Sequence, residues 1–350
     1  GINVCASAAW INGSKHTPED YARVEKACQI GCSTMFGSGA HPGMTNMVGM
    51  VLSGSCESID EIRITESVDC STYESAGTQT AMGFSQDPNT PGLAESVRRE
   101  SEVFAESAAM MADALGVTCV RFTFDVEFTA ATADSDLGFM KIPEGTVGSV
   151  FGYHRGWVGE KNVVSVGFNW TMGKHVTPPK PLAHGHVIQV FGVPNMRTVI
   201  HCLPPKDWAE EGFMGLGMIY TAMPVLNAVP LVVAAQPGIV SLKDLPPVTG
   251  RVLGQVVAVG RHQALDARLG THPLHHLGDA VRHVVVARPA EVRQPAGDGE
   301  AAWVVLCQAQ RVTGHFHRAG KAAVDVEHAD VGQRASGHVE GLGEDTLHGR

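Results

Sequence analysis

CSTMFGSGAHPGMTNMVGMVL, residues 32–52, is the stretch that decides the fold. Its apolar beginning, residues 32–36, is typical of a short strand, and residues 44–52 form an apolar stretch of helical length. A glycine-rich heptapeptide, residues 37–43, lies between them, and its Pro42 stands where helices commonly begin. The pattern predicts a strand that leads through a glycine-rich loop directly into a helix.

The preceding residues complete a strand–helix–strand unit. Residues 2–7 read as a strand, and Pro18-Glu19-Asp20 predicts a helix through Cys28, with acidic residues where the helix dipole favours them. A strand, a helix and a strand in succession make a βαβ unit of a parallel sheet. We expect residues 1–40 to be the closing part of a doubly wound dinucleotide-binding domain.

Residues 41–213 predict a second domain, a largely antiparallel sheet backed by helices. Its predicted elements are strands over residues 59–70 and 120–129, a helix over residues 95–115, and hairpins over residues 147–172 and 187–203. A last helix is predicted over residues 214–226, within a segment, 214–250, that returns to the dinucleotide-binding domain. The fold class is therefore α/β with an α+β substrate domain.

Composition restricts the partners. The 350 residues carry a net charge of −10 without any stripe of Lys and Arg, which argues against nucleic acid and anionic membranes as partners and favours a small molecule. The eight cysteines lie mostly in apolar stretches, which suits a reducing, cytoplasmic location. Cys28 and Cys32 have no second pair at a zinc-site distance, so no metal is expected.

Two segments have a second interpretation. Residues 213–242 form an uncharged run that is long enough to cross a bilayer, but Pro224, Pro230 and Pro237 favour a buried helix followed by a loop. Residues 251–350 contain no Ile, Met, Asn or Tyr but ten of the seventeen histidines, which indicates GC-rich DNA translated out of frame and predicts little stable structure. The alternative for this tail is a histidine-rich metal-binding appendage.

The heptapeptide has GxGxxxG spacing, and no ribose-binding acid follows it, so it is interpreted as an anion-binding loop and not as a cofactor fingerprint. Backbone N–H groups at a helix start suit a substrate carboxylate. The predicted substrate-binding residues are Gly39, Pro42, Gly43 and Thr45. His41, at the mouth of the loop, is either a proton donor or a loop histidine that hydrogen-bonds its own turn.

Glu66 occupies the otherwise apolar face of the strand predicted over residues 59–70. A carboxylate that faces a core costs several kcal/mol unless it is paired or lines a site. Glu66 therefore is a candidate for holding a substrate ammonium group, the alternative being a structural hydrogen-bond network. The polar face formed by Asp125 and Glu127 is interpreted as solvated or subunit-facing, and Trp170 and Met172 are expected in the core.

Several motifs, in this order and spacing, resemble the dihydrodipicolinate reductase-like proteins, in particular the 2,4-diaminopentanoate dehydrogenase branch. They are Gly1-Ile-Asn-Val, residues 37–43, residues 66–73, Met82-Gly83-Phe84, residues 169–173, Asn227-Ala-Val-Pro, residues 235–239 and Asp244-Leu-Pro. The resemblance implies a homo-oligomeric enzyme that uses NAD or NADP at the C–N bond of a small amino acid or amine.

The resemblance also implies roles for single residues. Asp69 and Tyr73 join His41 and Glu66 as candidate catalytic residues, and Ser7 and Gly37 are candidate cofactor-binding residues. The family's glycine fingerprint would lie before Gly1, so we expect a chain that lacks the N-terminal part of the dinucleotide-binding domain. The alternative is a non-catalytic fragment without a cofactor site, which binds a small carboxylate or only self-associates.

Overall fold

The computed structural model describes residues 1–209, 214–250, 285–287 and 302–306. The helices are α1 Pro18–Ile30, α2 Thr45–Ser53, α3 Ala76–Ala81, α4 Leu93–Glu100, α5 Glu102–Ala114 and α6 Met214–Ala234. The strands are β1 Ile2–Ser7, β2 Thr34–Ser38, β3 Ser58–Asp69, β4 Arg121–Ala130, β5 Ser135–Asp136, β6 Lys141–Ile142, β7 Val147–Val158, β8 Lys161–Thr171, β9 Gly185–Val193, β10 Met196–Ile200, β11 Gly238–Val240, β12 Val285–Ala287 and β13 Ala302–Leu306.

The first sheet is mostly parallel and has the order β11-β2-β1-β13-β12. Strand β1 pairs with β2 in parallel, from Val4 beside Met35 to Ser7 beside Ser38, and α1 makes the crossover. The side chain of Thr17 caps α1 by accepting a hydrogen bond from the Asp20 N–H at 3.1 Å. The predicted parallel βαβ unit is thus confirmed.

Two strands of this sheet, β12 and β13, come from the segment predicted to have little order. Strand β13 pairs in parallel with β1, and β12 pairs antiparallel with β13. The rest of residues 251–350, including the histidine cluster, lies outside the described residues. The low order expected of that remainder stays a prediction, as does the alternative of a metal-binding appendage.

The second sheet contains six strands in the order β10-β9-β3-β8-β7-β4. Only the β3–β8 pair is parallel among its described pairings, which confirms a largely antiparallel sheet. Helices α2 and α5 pack on one face. Ile62 and Ile64 of β3 lie in the core there, beside Met111 of α5. Burial of such side chains contributes roughly 1.5–3 kcal/mol each.

Strand β3 is covered on both faces in its second half, whereas sequence alternation indicates a half-buried strand. Thr65 and Ser67 point away from the helices, yet both are buried. The Thr65 hydroxyl shares a 2.6 Å hydrogen bond with the Tyr153 hydroxyl, and Ser67 Oγ accepts the N–H of Ala183 at 2.9 Å. Because Thr65 and Ser67 are short polar residues, the sequence pattern suggests a solvent-exposed face, although their hydroxyl groups have buried hydrogen-bond partners.

The helix predicted over residues 95–115 is two helices that meet at Ser101. The Ser101 hydroxyl donates to the Val97 carbonyl at 2.6 Å and also contacts His154 Nε2 at 2.8 Å, so its side chain competes for the backbone carbonyl of its own helix. Gly116, at φ +72°, follows the end of α5 as predicted.

Helix α6 is longer than predicted and continues through Pro224 and Pro230 to Ala234. It is the one helix of the described residues that is long and apolar enough to cross a bilayer. In this structure it packs on β1 and β2, with Val225, Ala228 and Val232 buried. The short strand β11 follows and pairs in parallel with β2, where the sequence suggested a loop after Pro237-Gly238.

Candidate active site

The glycine-rich heptapeptide leaves β2 at its carboxyl end and forms a tight turn, Ala40–Met44, before α2. Gly39 and Gly43 have φ values of +159° and +139°, and a Cβ on Gly43 would lie 2.8 Å from Ser38 Oγ. Glycine is therefore required at position 43 both by backbone conformation and by space. Gly43 and Pro42 are buried. The turn brings the His41 ring within hydrogen-bond distance of the Thr45 hydroxyl.

Backbone N–H groups of this turn, predicted to hold a substrate carboxylate, already have partners within the protein. The Gly43 N–H donates to Asn46 Oδ1 at 2.8 Å, and the Met44 N–H donates to the Gly39 carbonyl at 2.8 Å. Asn46 is fully buried and is held in turn by Ser107 Oγ at 2.7 Å. These two donors stabilise the turn, and substrate binding by Gly39, Pro42, Gly43 and Thr45 stays a prediction.

His41 makes two hydrogen bonds that fix its ring. Nε2 lies 3.0 Å from the Gly167 carbonyl of β8, and Nδ1 lies 3.1 Å from Thr45 Oγ1. Because a carbonyl only accepts, Nε2 carries the hydrogen, and neutral Nδ1 accepts from the Thr45 hydroxyl. Burial, the largest influence, lowers the pKa of His41 to about 4, so the ring is neutral at pH 7. The contact with Thr45 agrees with the alternative of a histidine that hydrogen-bonds its own turn, and proton donation by His41 stays a prediction.

Glu66 lies on β3, and each of its two carboxylate oxygens accepts a hydrogen bond from an aromatic ring N–H group. Trp170 Nε1 of β8 donates to Oε2 at 3.0 Å, and His186 Nε2 of β9 lies 3.1 Å from Oε1. Burial opposes ionisation, but the hydrogen bond and charge of His186, with His41 and Trp170, outweigh it and lower the pKa of Glu66. The side chain is 22% exposed, so a ligand can approach it.

Three aromatic residues that the sequence analysis did not select complete this cluster. His186 pairs with Glu66 across β9 and β3, and its ring lies 5.6 Å from that of His41 and 5.5 Å from that of Tyr220 in α6. Trp170, expected only in the core, binds the Glu66 carboxylate as well. Among the described residues, neither His186 Nδ1 nor the Tyr220 hydroxyl has a hydrogen-bond partner. We call His41, Glu66, Trp170, His186 and Tyr220 the Glu66 cluster.

Asp69 and Tyr73, the other candidate catalytic residues, take part in the turn after β3. Asp69 is exposed, and its Oδ1 accepts from the backbone N–H and hydroxyl of Ser71 at 2.9 and 2.5 Å. The Tyr73 N–H donates to the Cys70 carbonyl at 2.9 Å. Asp69 stands three positions from Glu66, so the two carboxylates point to opposite faces of the strand.

Ser7 and Gly37, the candidate cofactor-binding residues, lie at the carboxyl ends of β1 and β2. In open α/β sheets, ligands bind at such strand ends. Gly37 has a further reason to be glycine, because the backbone carbonyls of Ala9 and Trp10 lie against its Cα. Binding of a cofactor at Ser7 and Gly37 stays a prediction, and no glycine fingerprint for a pyrophosphate occurs among the described residues.

A cavity of about 370 Å³ adjoins the Glu66 cluster through Tyr220, which lines it. Its wall comes from the beginning of α2 and one side of α6. The apolar side chains among its lining include Met44, Met47, Leu216, Ile219 and Met223. This cavity is open to solvent on one side, and an apolar recess beside a few directed polar groups is a common form of a small-molecule site.

Two other sequence interpretations concern surfaces and metals. Asp125 and Glu127 of β4 are exposed, and Asp125 binds Arg155 at 2.7 Å, an arrangement typical of a solvated sheet face. Cys28 is buried in α1 and Cys32 is exposed beyond its end. Within the described part of the chain, no three His, Cys, Asp or Glu side chains are arranged to hold a metal ion.

Comparisons with known proteins give a family. A family model described as the 2,4-diaminopentanoate dehydrogenase C-terminal domain matches residues 44–259. The solved structure of an amine dehydrogenase from Mycobacterium smegmatis has a similar fold, with a TM-score of 0.54 and 19% identity over 71% of this chain and 70% of that one. Comparison with curated proteins finds no match. Because the family model covers more than half of the sequence, the chain belongs to the 2,4-diaminopentanoate dehydrogenase C-terminal domain family.

Proposed function

We propose that this chain acts as an NAD(P)-dependent oxidoreductase on the C–N bond of a small amino acid or amine. The observation that carries the proposal is the Glu66 carboxylate, ionised and partly exposed, beside the turn that follows β2. Family membership supports it, because the family is named for a dehydrogenase of an amino compound. The similar fold of an amine dehydrogenase agrees with this class of reaction.

Glu66 would bind the substrate through its ammonium group. Each carboxylate oxygen already accepts one hydrogen bond, from Trp170 or from His186, and has a lone pair left for a further donor. Charge-assisted hydrogen bonds of this kind are about twice as strong as neutral ones. The lowered pKa of Glu66 favours holding the charged ammonium over accepting its proton.

His41 and Trp170 would act as positioning residues. The His41 ring connects the turn to β8 through Gly167, so the loop after β2 keeps a fixed distance from the strand beside Glu66. Trp170 fixes the second carboxylate oxygen. A carboxylate held from both sides has less rotational freedom to lose on binding, which favours productive orientation of the C–N carbon.

Ser7 and Gly37, at the carboxyl ends of β1 and β2 and next to the turn that contains His41, would hold a nicotinamide cofactor. Such a cofactor would supply hydride-transfer chemistry at the C–N carbon. The residues of this chain would bind the ammonium group, provide an apolar wall through α6, and hold the reacting carbon in one orientation.

Hydride transfer can be tested with a labelled substrate. The chain is incubated with NAD+ or NADP+ and amines that carry deuterium on the carbon bonded to nitrogen. The proposal predicts deuterium at C4 of the reduced nicotinamide, detected by mass spectrometry. If the chain binds the amines but reduces neither cofactor, it is not catalytic. If it also fails to bind the amines, the proposed site is wrong.

A further inference from the structure

Two consecutive residues of α5, Glu106 and Ser107, support both of the segments that leave the parallel sheet at the carboxyl ends of β1 and β2. We propose that they are positioning residues for the reaction, an inference that rests on the proposed function. Together they hold the strand ends, where Ser7 and Gly37 are predicted to bind a cofactor, in a fixed arrangement relative to the sheet that carries Glu66.

Glu106 holds residues 8–17, the β1 loop. One carboxylate oxygen, Oε1, accepts the N–H of Asn12 at 3.2 Å and also that of Gly13. Glu106 is buried, and its second oxygen, Oε2, has no hydrogen-bond partner among the described residues. Both hydrogen bonds therefore depend on a single oxygen, and the amide oxygen of a glutamine could take its place.

Ser107 holds residues 39–44, the β2 turn, through Asn46. Ser107 Oγ accepts a hydrogen bond from Asn46 Nδ2 at 2.7 Å, and Asn46 Oδ1 accepts the Gly43 N–H at 2.8 Å. Ser107 and Asn46 are fully buried. Without the Ser107 hydroxyl, the Asn46 amide would lose a buried partner, which is costly, so we expect the turn to leave its present position.

The β1 loop and the β2 turn also support each other. The Ala8 N–H donates to the Ser38 carbonyl at 2.9 Å, and the carbonyls of Ala9 and Trp10 lie against the Cα of Gly37. Ala8 and Trp10 have φ values of +53° and +55°, a conformation that is strained for residues other than glycine and persists only where surrounding contacts impose it. A displacement of either segment should therefore disturb the other.

Helix α5 is a rigid support for both segments. It packs on β7 and β8 of the six-stranded sheet, and its residues Ala108, Met110 and Met111 are fully buried. Strand β8 carries Trp170, which donates to the Glu66 carboxylate at 3.0 Å. One helix thus connects the strand ends of the parallel sheet with the proposed amine site, and small errors in such an arrangement can reduce a reaction rate about 100-fold.

Hydrogen exchange on the 350-residue chain tests the shared support without cofactor or substrate. In Ser107→Ala, we expect exchange to become about tenfold faster at Asn12 and Gly13 as well as at Gly43, although Glu106 is unchanged. Glu106→Ala should have the reciprocal effect on Gly43 and replaces Ser107→Ala if that variant does not fold. The control, Glu102→Ala, alters a more exposed residue of the same helix and should leave all three amides unchanged. An effect confined to the nearer segment would overturn the inference.

Calorimetric titration with NADH and with NADPH tests the positioning role. We expect Glu106→Ala to bind the preferred nucleotide about tenfold more weakly, and the KM for the amine used in the deuterium assay to stay within about threefold. Glu106→Gln keeps an accepting oxygen and should restore nucleotide affinity to within about threefold of the wild type. A merely structural role would reduce the fraction of binding-competent chains and leave the dissociation constant unchanged. An unchanged dissociation constant in Glu106→Ala would therefore overturn the inference.

The two proposals fail in different ways. If the wild type transfers deuterium to the cofactor, but Glu106→Ala neither accelerates exchange at Gly43 nor weakens nucleotide binding, the positioning role is wrong and the proposed function stands. If exchange in the two segments is linked, but the wild type neither binds nor reduces a nucleotide, the shared support is real and the proposed function is wrong.

Discussion

Glu66 shows how far single residues can be interpreted from sequence. Its position on the apolar face of β3 indicates a paired or functional carboxylate, and the structure places it in a hydrogen-bonded cluster. Its partners Trp170 and His186 lie 104 and 120 positions away in the chain, on β8 and β9. The alternation of residues along one strand does not indicate which distant residue lies opposite on the neighbouring strand. The members of the cluster could therefore be identified only from the sheet register.

His41 gives a test of positioning against proton transfer. His41→Gln keeps an N–H that can reach the Gly167 carbonyl, because the Gln amide nitrogen can lie where Nε2 lies, so we expect activity within about tenfold of the wild type and an unchanged pH profile. His41→Ala removes both ring hydrogen bonds and should lower activity further. The measurement is kcat/KM between pH 5 and 9. Loss of one limb of the pH profile in the Gln variant would indicate that His41 transfers a proton.

Two histidines with a lowered pKa predict acid-sensitive stability. Burial lowers the pKa of His41 to about 4 and that of His154 to about 3, from 6.5 in the unfolded chain. The unfolded state therefore binds more protons below pH 6.5, and the free energy of unfolding decreases as pH falls from about 6.5 to 4. Each histidine contributes about 1.4 kcal/mol per pH unit in this window.

Urea denaturation of His154→Gln across this pH range checks the contribution of one histidine. The variant lacks one titrating group, so its stability should depend on pH less steeply than that of the wild type. The same slope in both proteins would show that the His154 pKa is not lowered by burial.

At the scale of elements, several strands could be predicted nearly to the residue, as β1 and β7 show. Two kinds of element could not. The break between α4 and α5 depends on the contact of Ser101 with His154, and β11 is a strand only because β2 provides its pairing partner. Tertiary contacts determine both the break between the helices and the formation of β11, and the local sequence propensity does not indicate those contacts.

The turn before α2 can be tested through Gly43. Gly43→Ala places a side chain at φ +139°, 2.8 Å from Ser38 Oγ and 3.1 Å from its carbonyl carbon. We expect a loss of about 1–3 kcal/mol or more in the free energy of unfolding, measured by chemical denaturation. Gly77→Ala is the control, because its Cβ would meet nothing within 4 Å on helix α3. Equal stability of the two variants would contradict the described turn.

At the scale of the whole molecule, residues distant in sequence connect the two sheets. The Glu106 carboxylate of α5, which packs on the six-stranded sheet, accepts the N–H of Asn12 at 3.2 Å and that of Gly13. Asn12 and Gly13 belong to the loop that follows β1 of the parallel sheet. Glu106 is buried, so it fixes this loop in an environment where unpaired N–H groups are costly.

Glu106→Ala tests this connection. The substitution leaves two backbone donors unpaired, and we expect the free energy of unfolding to fall by about 2–4 kcal/mol, with faster hydrogen exchange at Asn12 and Gly13. Glu102→Ala, one turn earlier on the same helix and less buried, is the matched control. Unchanged exchange at both amides in Glu106→Ala would show that α5 does not hold the loop.

The central claim is that the Glu66 carboxylate binds the amine on which the chain acts. The most direct measurement is the rate of amine-dependent reduction of NAD+ or NADP+ by Glu66→Gln beside Glu61→Gln, the same change on the same strand. A neutral amide cannot pair with the ammonium, so we predict that kcat/KM falls by about 100-fold or more in Glu66→Gln and stays within a few-fold in Glu61→Gln. Equal activity of the two variants would contradict the claim.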